Sequence, residues 1–180
     1  MEQLELIPLQ RCGKLSFGMS EQEAEAAIGK RHTPWESVDV GWQEQTAWFG
    51  ENYHLTFVDG CLEWAEVDLE ALECTLHGIA LHSEKAEDIV RALAGESPCR
   101  FDGEDAQRSC TVYFEQLGLT LWRSRVYHPL MMEDADYAEM FREMPPDLQA
   151  DELRFWHFQS AALESARYRQ LRREHGVFPA

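Results

Sequence analysis

Three residue sets in this chain have the types and spacing to do chemistry. Cys74, His77 and His82 stand at a C-x2-H-x4-H spacing with Glu73 beside them, and zinc accepts those ligand types. A structural zinc site takes four ligands, and no fourth is apparent. In an extended stretch Cys74 and His77 also point to opposite faces, so the spacing is that of an ordinary linker and no metal ligand is assigned. Carboxylate neighbours such as Glu63 with Glu66, or Asp102, Glu104 and Asp105, have the form of a general acid and base. In a chain with 33 acids such neighbours arise from composition alone, and no His or Lys singles out one pair. A nucleophile is also missing: there is no G-x-S-x-G, and no cysteine in a recognised catalytic context. The 11 glycines form neither G-x-x-x-x-G-K nor G-x-G-x-x-G. The sequence therefore assigns no catalytic residue and no cofactor, and points away from an enzyme. The alternatives it keeps are a metal-dependent enzyme with a carboxylate-rich site and an acidic structural or regulatory protein.

Charge rises above that background. The chain carries 16 Lys+Arg against 33 Asp+Glu, a net charge of −17, and its phosphate-repelling balance argues against nucleic acid as a partner. From His32 to Glu84 there is no Lys or Arg, while eleven acids fall in the same stretch. Residues 1–110 hold a balance of −14 and residues 111–180 a balance of −3. Crowded carboxylates repel one another, so such a stretch is either a solvated face or a surface shaped for a basic protein partner. Four of the six tryptophans fall there too, and Trp beside charge is what interface hot spots are made of. The candidate partner-binding residues are Trp35, Glu36, Asp39, Trp42, Glu63, Glu66, Asp68 and Glu70, expected on exposed loops and strand faces.

The elements that must position them follow from periodicity and punctuation. With 180 residues the chain suits one compact body or two repeated halves sharing a core. Ser20 and Glu23 form a capping box opening a helix that Gly29 closes. A second helix is expected from Ser83, with Ala86, Ile89, Val90 and Leu93 on one face and Gly95 as its stop. Strands are predicted over 46–49, 53–58 and 62–67, with Asp59-Gly60 as a hairpin turn, and again over 110–115 and 119–127. After His128-Pro129 the pattern turns helical. Asp134 caps one segment ending at Pro145-Pro146, and a long helix from Asp147 or Asp151 to Glu174 packs through Leu153, Trp156 and Leu163. Its Arg167, Arg169, Arg172 and Arg173 are explained by the helix dipole. The expected fold is α+β: two tandem helix-plus-antiparallel-sheet units, about 10–73 and 74–128, form a body over 1–128, with a helical segment over 129–180 packed on it.

No apolar run approaches the ~18 residues of a membrane-spanning helix. Met1 to Gln10 carries Glu2 and Glu5 and does not read as a signal peptide. Five cysteines, an odd number with no C-x-x-C, read as reduced and mostly buried, which fits a cytoplasmic protein.

Over residues 10–127 the chain resembles the immunity proteins of bacterial polymorphic toxin systems. The resemblance is carried by the tandem Gly18-Met19-Ser20-x-x-Glu23 type helix followed by sheet, and by the segment from Phe114 to Arg123. The helix-plus-sheet layout is also similar to that of beta-lactamase inhibitory proteins. The resemblance implies inhibition by binding: a basic toxin, co-encoded with the chain, whose active site an acidic surface occludes. No family binding residue carries over to a position here.

Overall fold

The computed structural model describes residues 2–177. The first half runs β1 (Gln3–Ile7), β2 (Arg11–Cys12), β3 (Leu15–Ser16), α1 (Glu21–Ile28), β4 (Glu36–Asp39), β5 (Gln43–Phe49), β6 (Tyr53–Val58) and β7 (Cys61–Asp68). The second continues with β8 (Glu73–Leu76), β9 (Ile79–Ala80), α2 (Ala86–Leu93), β10 (Cys99–Phe101), β11 (Thr111–Phe114) and β12 (Leu119–Trp122). The tail is α3 (Ala135–Glu143), α4 (Pro146–Arg154), β13 (Ser160–Glu164) and α5 (Ala166–His175). Helices and antiparallel strands thus make an α+β fold. The chain has no helix among the described residues long and apolar enough to cross a membrane.

The two leading helices form for different reasons. Ser20 accepts the Glu23 amide while the Glu23 carboxylate accepts the Ser20 amide at 2.8 Å, and Gly29 closes α1 in the left-handed region at φ 70°. At α2 the expected punctuation fails. Ser83 lies outside the helix, Lys85 sits at the cap without a side-chain bond, and Ala94 rather than Gly95 ends it. Packing holds α2 instead: Ala86, Ile89, Val90 and Leu93 are buried, and the Ala86 amide donates to the Trp156 carbonyl at 2.9 Å.

The strands make two sheets, β3-β2-β1-β8-β9 and β10-β11-β12-β13-β7-β6-β5-β4. One apolar cluster joins them, drawing Leu4, Leu6 and Leu15 from the smaller sheet, Leu55, Phe57 and Ala65 from the larger, and Ile89 and Leu93 from α2.

The tail corrects the sequence reading. The helix expected to run unbroken to Glu174 is α4, then β13, then α5, and β13 lies between β7 and β12, joining the strands of both halves into one sheet. Ser-Ala-Ala-Leu-Glu has helix-forming composition, but the slot between two strand edges offers it a full set of backbone bonds on both sides. Leu163 is therefore buried in the sheet core, Leu153 is 40 % exposed, and Trp156 is half-buried beside α2. Its indole donates to Glu87 at 2.7 Å, with Lys85 3.8 Å above the ring. Arg123, at the end of β12, is fully buried and gives its donors to the carbonyls of Ser109, Phe155 and Gln107 at 3.0, 2.9 and 2.7 Å. Burial pushes its guanidinium below the ordinary value.

Candidate functional site

Strand alternation gives the large sheet two faces. One faces the core through Leu55, Ala65, Leu163 and Leu121. On the other, Trp48, His54, Glu66, Ala162 and Thr120 are cross-strand neighbours in one row, and Asp68, Ser160 and Trp122 in the next. That second face is covered at one end and open at the other.

At the covered end α5 lays its arginines over buried carboxylates. Glu164 is 1 % exposed, accepts the Tyr113 hydroxyl at 2.5 Å and pairs with Arg172 at 2.9 Å. Tyr168 donates to Glu44 at 2.8 Å. Glu63 is the residue left unpaired where the β6–β7 register shifts, an irregularity that turns its side chain inward to Ser165 and to Arg167, 2.8 Å away. Arg173 pairs with Glu115 at 2.7 Å. Burial, with Glu44 adding to it, holds the Tyr168 hydroxyl well above its ordinary range. Burial and the bond to Glu164 do the same for Tyr113.

At the open end Trp48 stacks on His54 with ring centres 4.7 Å apart, and Trp64 meets the same imidazole edge-on at 5.6 Å. His54 Nε2 is 2.7 Å from Thr46 Oγ1, its Nδ1 is 3.7 Å from Glu66, and Ser160 donates to Glu66 Oε1 at 2.5 Å. Burial pushes the Glu66 carboxyl up, but its contact with His54 and the Ser160 bond outweigh that, so it sits below its ordinary range. Hydroxyl, imidazole and carboxylate in that order have the form of an activated nucleophile. The geometry serves another purpose. Thr46 is buried and its hydroxyl donates to the Leu55 carbonyl at 3.1 Å, while the His54–Glu66 separation exceeds a hydrogen bond. The network orients Glu66.

Beside Glu66 lies a recess of about 220 Å³, walled by Trp48 and Trp122 and floored by Glu66, Asp68, Gln159 and Ser160, with Glu51 and Glu70 at its rim. Trp48 and Trp122 are 44 % and 42 % exposed. None of the lining side chains is Lys or Arg.

The residues picked out by sequence divide accordingly. Glu66, Asp68 and Glu70 come together at the recess. Glu36 and Asp39 are exposed on the edge strand β4, away from it, where Asp39 accepts the Gly41 amide at 3.0 Å. Trp35 packs edge-on against Phe57 at 5.4 Å and Phe49 at 5.9 Å, half-buried against the core. Trp42 lies under α5 against Tyr168 at 5.6 Å. Glu63, expected on the surface, is 3 % exposed. Missed were Trp48, whose alternation with buried Ala47 and Phe49 signals an outward side chain, and Trp122 and Ser160, which only the insertion of β13 brings near Glu66.

The former zinc candidates are spoken for. Cys74 is buried, its thiol pushed up to about 12 by burial and by the charges of Asp68 and Glu2. His77 Nδ1 lies 2.6 Å from Glu96, and His82 Nδ1 lies 3.1 Å from the Cys74 carbonyl. Among the described residues no group of three or more His, Cys, Asp or Glu is gathered to hold a metal ion. All five cysteines are free thiols.

Compared with protein-family models, curated proteins and solved structures, the chain matches none.

Proposed function

We propose that this chain is a cytoplasmic protein-binding inhibitor, an immunity protein that captures a basic, co-encoded toxin on the open end of its large sheet. The observation that carries the reading is the pair of exposed tryptophans flanking a carboxylate recess that no Lys or Arg of the chain enters. Aromatic anchors in a concave, partly dry site are where binding energy concentrates, and carboxylates around them give charge complementarity. The net charge of −17 extends that attraction beyond the contact surface. The element order bears on the same reading: α1 precedes the β4–β7 meander and α2 precedes β10–β12, a helix-before-sheet order in each half, with α3 and α4 intervening before β13.

For a nuclease toxin, Glu66 and Asp68 stand in for substrate phosphates in its basic cleft. The test is association with the product of the adjacent reading frame, followed by surface plasmon resonance. The wild-type chain binds it and silences its activity, while Trp48→Ala and Trp122→Ala weaken the complex without lowering the melting temperature. If instead micromolar Mg²⁺, Mn²⁺ or Zn²⁺ stabilises the free chain and no basic protein binds, the metal-dependent alternative replaces this reading.

A further inference from the structure

We infer that the recess between Trp48 and Trp122 is a socket for a single arginine side chain of the partner, an assignment that rests on the inhibitor reading and says what the site recognises. Size is the first argument. At about 220 Å³ the recess falls below the ~300–1,000 Å³ usual for small-molecule pockets, and suits the head of one side chain.

Charge is the second. Glu66 is fixed by Ser160 on one oxygen and flanked by His54, and these contacts favour its ionised form. Asp68 Oδ1 accepts the Glu70 amide at 2.7 Å, while among the described residues Oδ2 accepts no hydrogen bond. Each carboxylate thus keeps acceptor positions toward the recess. At the rim Arg154 pairs with Glu70 and with Asp151 at 2.6 Å each. Among the described residues Glu66 and Asp68, inside the recess, have no Lys or Arg counterion.

The third argument is shape. An indole face binds a flat guanidinium by stacking as well as by charge, and two carboxylates meet the five donors of its fork, whereas a lysine ammonium offers only a point charge. Two exposed tryptophans at the walls with carboxylates at the floor match the fork rather than the point.

The probe is L-argininamide, titrated into the intact chain while the two indole N–H signals are followed by NMR, assigned with Trp48→Phe and Trp122→Phe. Saturable shifts confined to Trp48, Trp122 and the Glu66 neighbourhood are expected, with lysinamide weaker and the neutral isostere citrullinamide silent. Glu66→Gln and Asp68→Asn should each raise Kd about tenfold, the loss expected for a charge-assisted hydrogen bond. Equal responses to argininamide and citrullinamide, equal responses to argininamide and lysinamide, or shifts spread evenly over the chain overturn the socket. If the toxin binds and argininamide does not, the socket fails and the inhibitor reading stands. If argininamide binds and no basic protein does, the socket stands and the inhibitor reading fails.

Discussion

Glu164 and Glu66 lie on adjacent strands and face the same side of one sheet, yet they meet opposite fates. Glu164 is closed under α5 with Arg172 and Tyr113, and Glu66 opens on a recess that no Lys or Arg lines. Whether an acid is structural or available is decided here by whether the chain delivers a cation to it. At the covered end that delivery comes from far away: Arg167 reaches back to Asp59 and Glu63. A stretch without bases in the sequence is therefore not a stretch without bases in space. The patch that survives as unmatched charge is smaller than the sequence implied, and it is centred on Trp48 rather than Trp35.

The largest expected effect breaks the covered end. Arg172→Ala leaves Glu164, 1 % exposed, without its cation, and removing one member of a buried pair costs about 3–5 kcal/mol. Urea denaturation reads the loss directly. A change below about 1 kcal/mol would mean that α5 does not clamp the sheet, and the contrast between the two ends would disappear.

A second expected effect is alkaline and again belongs to the covered end. Tyr113 and Tyr168 are held above their ordinary range by burial and by carboxylate partners. A raised folded-state value favours the protonated form, so this stabilisation is complete below about pH 10 and is lost as pH rises beyond it. The melting temperature should fall above pH 10, and Glu164→Gln should make that fall shallower by removing the charge that holds up Tyr113. A fall unchanged by Glu164→Gln would separate the tyrosines from the clamp.

The α+β class, the Ser20 cap, the Asp59-Gly60 turn and the core face of α2 were legible because each rests on neighbours within a turn or two. The place of β13 was not. Ala161 to Glu164 satisfies a helical pattern as well as a strand, and the slot between β7 and β12 that decides the matter exists only after both halves have folded. The candidate site inherits that limit. Glu66, Asp68 and Glu70 come from one continuous segment and were picked out together, whereas Trp122 and Ser160 reach them through β13 pairing. Trp48 was within reach, since Ala47 and Phe49 on either side are buried and period-two alternation turns it outward. Glu63 was misplaced because what buries it, Ser165 and Arg167 at the start of α5, comes from about a hundred residues further along the chain.

At the open end the expected stability effects are smaller, and the first appears in acid. Glu66 is held below its ordinary range, so its contribution is present above about pH 4.3 and is lost as pH falls through the lower folded-state value. Glu66→Gln should flatten that part of the acid limb, because it removes at neutral pH the same modest contribution that acid removes from the wild type. Ser160→Ala should do the same in lesser degree, since it removes one of the contacts that lower the value. An acid limb unaffected by either would mean that Glu66 is not preorganised.

The smallest effect on stability separates the two ends most sharply. Glu51 is exposed at the rim and makes no hydrogen bond or ion pair among the described residues, while Glu66, Asp68 and Glu70 line the same recess. Glu51→Lys removes one like charge and supplies the missing cation. An exposed substitution stays within about 0.5 kcal/mol, and here the sign should be stabilising because repulsion is relieved. Added salt should shrink the gain, since the Debye length is about 8 Å at physiological ionic strength. Association with a basic partner should respond the other way, with a slower on-rate in the variant and a wild-type on-rate that falls steeply with salt. Greater stability with weaker binding is the pattern of a site held open for a partner rather than built for the fold. Loss of stability in Glu51→Lys, or an on-rate that ignores both salt and the substitution, would return the open end to the status of a solvated face.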